Sequence, residues 1–305
     1  MKSPERIAVI DLGTASIRFE VYMAETGRGI PKRIYRESHM TRLGRGLTPG
    51  GSLDALARDL TLSRFSDFQA VIKRHQPLTI CAVATSALRE ASDGEVFLAE
   101  LEALCGAKIA VISGEEEARL TAVGIRRFER NVPEEVVLVD IGGGSTEVSI
   151  CLENRIVRSL SIPFGALRCH EQHLKQEIPP NRNSLDRLRA ETGDSLTAVL
   201  GEKAYSVEQA LGSSVTVRTL CAIRFPQVSA SNSLSRTELQ AVLDFMAPLN
   251  RDQLMEIEGM EEARVDIVLA GTAILTGVFD YFGCENIRAT RFSLRHGLLA
   301  EALSS

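Results

Sequence analysis

The stretch VVLVDIGGGSTEVSI, residues 136–150, decides how the chain is read. An apolar run ends at Asp140, three glycines follow at 142–144, and a second apolar segment begins after Glu147. A tight hairpin needs positive φ at one or two positions, which one or two glycines satisfy. Three in succession cost more unfolded-chain entropy than a turn requires. Bare backbone instead lets successive N–H groups close around an anion, as a nest with no Cβ in the way. Ser145 and Thr146 add hydroxyl donors beside Gly142, Gly143 and Gly144. Carboxylates next to a bound phosphate repel it unless a cation lies between. Asp140 and Glu147 therefore imply a divalent metal, Mg2+ or another hard cation, shared with phosphate oxygens and water.

The same theme occurs near the N-terminus. IAVIDLGTASIRFEV, residues 7–21, aligns with 136–150 over fifteen positions, placing Asp11 against Asp140 and Gly13 against Gly142. Asp11 is a further candidate metal ligand, and Gly13 a candidate phosphate contact. An internal repeat of this kind predicts two similar α/β domains facing each other. Antiparallel hairpins make mixed sheets the better fit than all-parallel ones.

Composition narrows the class. The chain has 305 residues, 44% hydrophobic and 25% charged, as in ordinary globular proteins with one large or two smaller cores. No window reaches the roughly 18–20 apolar residues of a membrane span, and the start runs straight into a strand without a cleavable signal. A cytosolic protein is the expectation. The net charge of −5 argues against nucleic acid as a partner, so an anionic ligand must be held by local arginines, backbone amides or a metal. Six cysteines show no CxxC pair and read as buried reduced thiols, while His170 and His173 lack the partners of a zinc site.

Periodicity predicts a hairpin over 6–24, a strand at 31–43, and helices over 52–75, 92–104 and 114–129, with strands at 78–86 and 108–114. After 135 the pattern restarts with three strands. Helices fill most of 165–257, interrupted by a strand-like stretch at 208–214. RVDIVLAG, 264–271, reads as a late strand followed by a helix.

In order along the chain, AVIDLG, AVATSALREA, VISGEEEARL, VDIGGGSTE, ALGSSVTVRTL and SLRHG resemble the exopolyphosphatase and guanosine pentaphosphate phosphohydrolase family from about residue 5 to 302. The resemblance implies the actin-like ATPase superfold, an α/β architecture of two RNase H-like domains with mixed sheets flanking a central cleft. It implies domains at 1–126 and 127–289, with a helix at about 290–305 returning to the first. It implies a Mg2+-dependent phosphohydrolase acting on a polyanionic phosphate substrate, polyphosphate or guanosine pentaphosphate. A homodimer is one assembly left open.

Residue by residue, the resemblance implies Glu117 as general base and Asp140, Glu147 and Asp11 as metal-associated acids. Gly13, Thr14, Gly142, Gly143 and Gly144 match phosphate-binding loops, with Ser145 and Thr146 behind them. Arg89 matches an arginine at the cleft; Arg18, Arg42, Arg168 and Arg295 are further substrate-binding candidates. Arg18 resembles a contact to guanosine phosphates in short members. Ala15, Val215 and His296 depart from the family pattern. These departures keep open a sensor that binds the polyanion without turnover. The faint likeness of VLAGTAIL, 268–275, to an adenosine loop keeps open a kinase.

Overall fold

The structure is a computed structural model that describes residues 5–24, 29–175, 179–202, 204–227 and 232–304. The chain divides into two compact units, Met1–Glu129 with Leu294–Ser305, and Arg130–Ser293.

The first unit opens with β1 (Glu5–Leu12), β2 (Ile17–Ala24) and β3 (Lys32–His39), an antiparallel meander. It continues with α1 (Ala55–His75), β4 (Thr79–Ala84), α2 (Ser86–Glu90), α3 (Gly94–Cys105), β5 (Ile109–Val111) and α4 (Gly114–Phe128). The sheet order is β3-β2-β1-β4-β5, with β4 and β5 added in parallel. Isoleucine, valine and alanine at 7–10 are buried on both faces of β1, as a central strand requires. Asp54 caps α1 by accepting from the Ala57 N–H at 2.9 Å, and the helix lays Phe65 and Phe68 over the sheet. Phe68 meets Phe19 of β2 at a ring-centroid distance of 4.8 Å. Each such buried ring stabilises the unit by about 1.5–3 kcal/mol.

The second unit repeats the plan. β6 (Val136–Ile141), β7 (Thr146–Leu152) and β8 (Arg155–Ile162) form the meander. Then follow α5 (Ala166–Cys169), running into a π-turn at His170–Leu174, α6 (Arg182–Leu200), β9 (Gln209–Gly212) and α7 (Val215–Arg224). β10 (Ser233–Ser235), α8 (Arg236–Met246), α9 (Arg251–Met255), α10 (Val268–Phe282) and β11 (Asn286–Ala289) complete it. The order β10-β11-β9-β6-β7-β8 contains the same five-strand arrangement plus one edge strand. Each unit thus has the strand order of an RNase H-like domain, and the chain has the actin-like ATPase fold. α11 (Leu294–Ala302) belongs to the first unit and packs on α4. A Cβ on Gly297 would stand 2.0 Å from the Leu120 carbonyl oxygen, so glycine permits that approach.

One expected element is of the other type. The strand expected over 264–271 is a turn followed by the start of α10. Every residue of α10 except Asp280 is buried, and a short apolar run buried all round has no period by which to tell strand from helix. The helical span expected over 165–257 includes 176–178, 203 and 228–231, which lie outside the described residues.

Candidate functional site

In the second unit the glycine loop joins β6 to β7, and Asp140 stands directly opposite Glu147 in register. The Gly142 N–H donates to the Ser145 carbonyl at 2.9 Å and closes the turn. The Gly142 carbonyl accepts from the Ala166 N–H at 2.9 Å, and the Gly143 carbonyl accepts from those of Leu167 and Arg168 at 3.0 Å each. In a trans peptide the N–H points opposite to the carbonyl of the same unit. With both carbonyls turned into the N-terminus of α5, the N–H groups of Gly143 and Gly144 face away from it. Among the described residues those two amides donate to no carbonyl. Outward-turned amides with no Cβ beside them are the geometry an anion nest requires.

The side chains around this loop divide by role. Glu147 is buried, and its Oε1 accepts from the Ser161 hydroxyl at 2.8 Å. The register of β6 and β7 sets the Asp140 and Glu147 carboxylates opposite each other, and carboxylate oxygens are the donor type a hard cation takes. Ser145 is buried at the end of the turn. Thr146 is also buried, and its hydroxyl donates to the Phe164 carbonyl, fixing the loop to the segment before α5. That bond corrects the reading of Thr146 as a phosphate donor.

The first unit has the same loop with a different charge pattern. The Gly13 N–H donates to the Ser16 carbonyl at 3.1 Å. The Thr14 carbonyl accepts from Gly44 at 2.9 Å and the Ala15 carbonyl from Arg42 at 2.8 Å, turning the Ala15 and Ser16 amides the other way. Arg42 holds φ at 51°, a left-handed conformation uncommon for a residue with a Cβ. Opposite Asp11 stands Arg18, in the position that Glu147 occupies in the second unit. Arg18 Nη1 lies 3.1 Å from Asp11 Oδ2, and Arg295 Nη1 lies 3.2 Å from the same oxygen. Arg295 Nε is a further 3.3 Å from Glu20 Oε2, and the Arg295 side chain is only 8% exposed. The structure therefore corrects two expectations. Asp11 is neutralised by two guanidiniums rather than set up as a metal ligand, and Arg295 is a buried cross-link rather than an open substrate contact.

Burial pushes the Glu20 carboxyl upward, but Arg295, the Tyr22 hydroxyl, His296 and Arg33 together outweigh it and hold Glu20 below the usual carboxylate range. Burial, with Glu20 beside it, raises the Tyr22 hydroxyl in turn.

Glu117 sits in the first turn of α4, where acids complement the helix dipole. The Ser113 hydroxyl caps this helix, accepting from the Glu116 N–H at 3.1 Å. Glu115 is exposed. Glu116 is held by Arg119 through two bonds of 2.7 Å, and Arg119 also reaches Glu301 at 2.6 Å. Glu117 is half-buried, as Glu116 is, and its Oε2 is shielded from solvent. Arg89 is exposed on α2 and donates to the Ile112 carbonyl at 2.7 Å, bracing the segment that leads into the α4 cap.

Residues 22–305 match the model of the Ppx/GppA phosphatase family. The chain belongs to that family. Exopolyphosphatase 1 of Mycobacterium bovis is 26% identical over 309 residues, covering 98% of this chain and 89% of its own. Exopolyphosphatase 2 of Mycobacterium tuberculosis is 29% identical, covering 88% of each chain. The crystal structure of an exopolyphosphatase from Cytophaga hutchinsonii shares the fold, with a TM-score of 0.88, 23% identity and 98% of both chains covered.

In this Ppx/GppA chain the sequence-predicted residues form distinct local groups. Gly13, Thr14, Arg18 and Arg42 gather at the first loop. Gly142, Gly143, Gly144, Ser145, Asp140, Glu147 and the backbone of Arg168 gather at the second. Sequence reasoning missed Glu20, whose signal was a carboxylate set among the inward positions of FEVYM. It also missed Gly44 and Gly165, which clamp the two loops. A Cβ on Gly44 would lie 2.2 Å from Thr14 Cγ2. Among the described residues no three His, Cys, Asp or Glu side chains converge as a metal cluster. Five of the six cysteines are buried and Cys81 is half-buried. Burial pushes the thiols of Cys169 and Cys284 up to about 12. Among the described residues no helix is long and apolar enough to cross a membrane.

Proposed function

We propose that this Ppx/GppA protein is a phosphohydrolase that releases orthophosphate from the end of inorganic polyphosphate. The observation that supports this reading most is the pair of glycine loops whose carbonyls are clamped and whose amides are turned outward. Such amides suit phosphoryl oxygens, which accept several hydrogen bonds at once. Family membership and the exopolyphosphatase names of the relatives support the phosphate chain as substrate.

In this mechanism Gly143 and Gly144 in one loop, and Ala15 and Ser16 in the other, present N–H donors to phosphoryl oxygens. Asp140 and Glu147 would hold Mg2+, and the ion would supply neutralisation of the phosphoryl charge. Glu117 accepts a proton from water as the water oxygen bonds to the terminal phosphorus. The bridging P–O bond breaks, and the shortened chain departs with the bonding pair. The place of Glu117 in the first turn of α4, with Oε2 shielded from bulk water, supports the base role.

The test is orthophosphate release from polyphosphates of defined length, beside guanosine pentaphosphate, by wild type and Glu117→Gln. The expectation is turnover of polyphosphate that the substitution lowers at least a hundredfold. Tight polyphosphate binding without any release would replace this reading with that of a sensor.

A further inference from the structure

A threonine inside a helix ordinarily spends its hydroxyl on the carbonyl one turn back. Buried threonines of this chain do so. Thr61 donates to the Ala57 carbonyl at 2.7 Å, Thr192 to that of Leu188 at 2.8 Å, and Thr272 to that of Val268 at 2.7 Å. Thr276 donates to the Ala273 carbonyl at 2.7 Å. Thr121 on α4 departs from this rule. It is only 4% exposed, and its Oγ1 makes no hydrogen bond among the described residues. Thr219 of α7 shares the departure, with the apolar Val215 one turn behind it. One turn behind Thr121 stands Glu117.

A buried hydroxyl left unpaired is a cost to the fold. On a helix surface the side chains within reach are those three and four positions away. For Thr121 these are Glu117, Ala118, Gly124 and Ile125, so the Glu117 carboxylate is the one polar side chain among them. Helical side chains lean toward the N-terminus, which carries the Thr121 side chain over the turn that holds Glu117. Glu116 belongs to another row of the helix and is taken by Arg119.

We propose that Thr121 is a positioning residue for Glu117: its hydroxyl donates to one carboxylate oxygen when the phosphate chain is bound, and the other oxygen is left facing the attacking water. This inference rests on the reading of Glu117 as the base. The proton that moves is the water's, and it goes to Glu117, while Thr121 keeps its own. A base whose carboxyl plane is fixed by a second group meets its water in the geometry that proton transfer needs. Because the hydroxyl is not spent on the Glu117 carbonyl, it turns to the carboxylate without breaking a bond.

The test is kcat and KM for polyphosphate, with melting temperature, in Thr121→Val and Thr121→Ser, each alone and combined with Glu117→Gln. Thr121→Val keeps the branched shape and removes the hydroxyl. It should lower kcat about tenfold, leave KM within twofold, and melt no lower than wild type. Thr121→Ser should bring kcat back to within threefold of wild type. In the Glu117→Gln background, Thr121→Val should change the residual kcat by less than twofold, since the two groups act as one unit. If Thr121→Val does not fold, Thr121→Ala carries the kinetic comparison with the same expected loss of kcat. Unchanged kcat in Thr121→Val, a loss that Thr121→Ser does not recover, or a full tenfold loss on top of Glu117→Gln overturns the inference and leaves the phosphohydrolase reading standing. Turnover that survives Glu117→Gln intact removes Glu117 as the base, and the inference falls with it.

Discussion

Gly165 lies against Gly144 so closely that a Cβ on Gly165 would stand 2.4 Å from the Gly144 amide nitrogen. Backbone meets backbone here, and no side chain can yield. Gly165→Ala must therefore push the loop and the start of α5 apart, breaking the bonds from Ala166, Leu167 and Arg168 that orient the nest. We expect kcat/KM for phosphate release to fall at least tenfold in a protein that still folds. Gly193→Ala is the control. It lies inside α6 with open space where its Cβ would go, and it should stabilise by about 0.5–1 kcal/mol without touching activity. Thermal melts and steady-state kinetics on both variants check the contrast.

The three acids that open α4 should separate cleanly in kinetics. Glu117→Gln removes the proton acceptor and should lower kcat by about 10²–10⁴ with KM little changed. Glu115→Gln should behave as wild type. Glu116→Gln weakens a half-exposed pair with Arg119 and should cost less than about 1 kcal/mol of stability. Equal losses of kcat in Glu116→Gln and Glu117→Gln would show that the helix N-terminus matters and no single carboxylate does.

The buried cross-link predicts an unusual response to acid. Glu20 is held below its ordinary 4.5, so its contribution to stability is present above that value and is lost as pH falls through the lower folded value. In Arg295→Met its main attractive partner is gone and burial dominates, which raises Glu20 and makes the charged form the costly one. At neutral pH the variant should be less stable by about 3–5 kcal/mol. The gap between wild type and variant should narrow as pH is lowered toward about 4. Urea unfolding between pH 3 and 8 reads this directly, and a gap that stays constant across the range contradicts it.

Thr146 gives a prediction about scaffolding. Thr146→Val leaves the Phe164 carbonyl unsatisfied and should destabilise by about 1–3 kcal/mol. Thr146→Ser keeps the hydroxyl and should recover most of that. KM for polyphosphate should stay within threefold in both. A KM that rises in Thr146→Val and returns in Thr146→Ser, without a change in melting temperature, would return Thr146 to the phosphate.

What was legible in the sequence follows from how far each signal reaches along the chain. The strand–glycine–strand repeat is local, so the paired loops, the mixed sheets and the candidate acids could all be read from fifteen-residue windows. The type of α10 could not, because a helix buried on every side shows no polar face. Nor could the task of Arg295. Its partners Asp11 and Glu20 lie more than 270 positions away, and a buried ion pair leaves no trace in local pattern. Gly44 and Gly165 lie close in sequence to the candidate arginines Arg42 and Arg168, and only the packing shows that the glycines do the clamping.

The first unit is assembled from both ends of the numbering, with α11 supplying Arg295 to strands made nearly 300 residues earlier. During vectorial synthesis, β1 and β2 emerge with two inward acids that Arg18 and Arg33 meet only in part until Arg295 follows. The second unit is contiguous and can close first. The unit that leaves the ribosome first is thus the one whose folding finishes last, when Gly297 seats against Leu120.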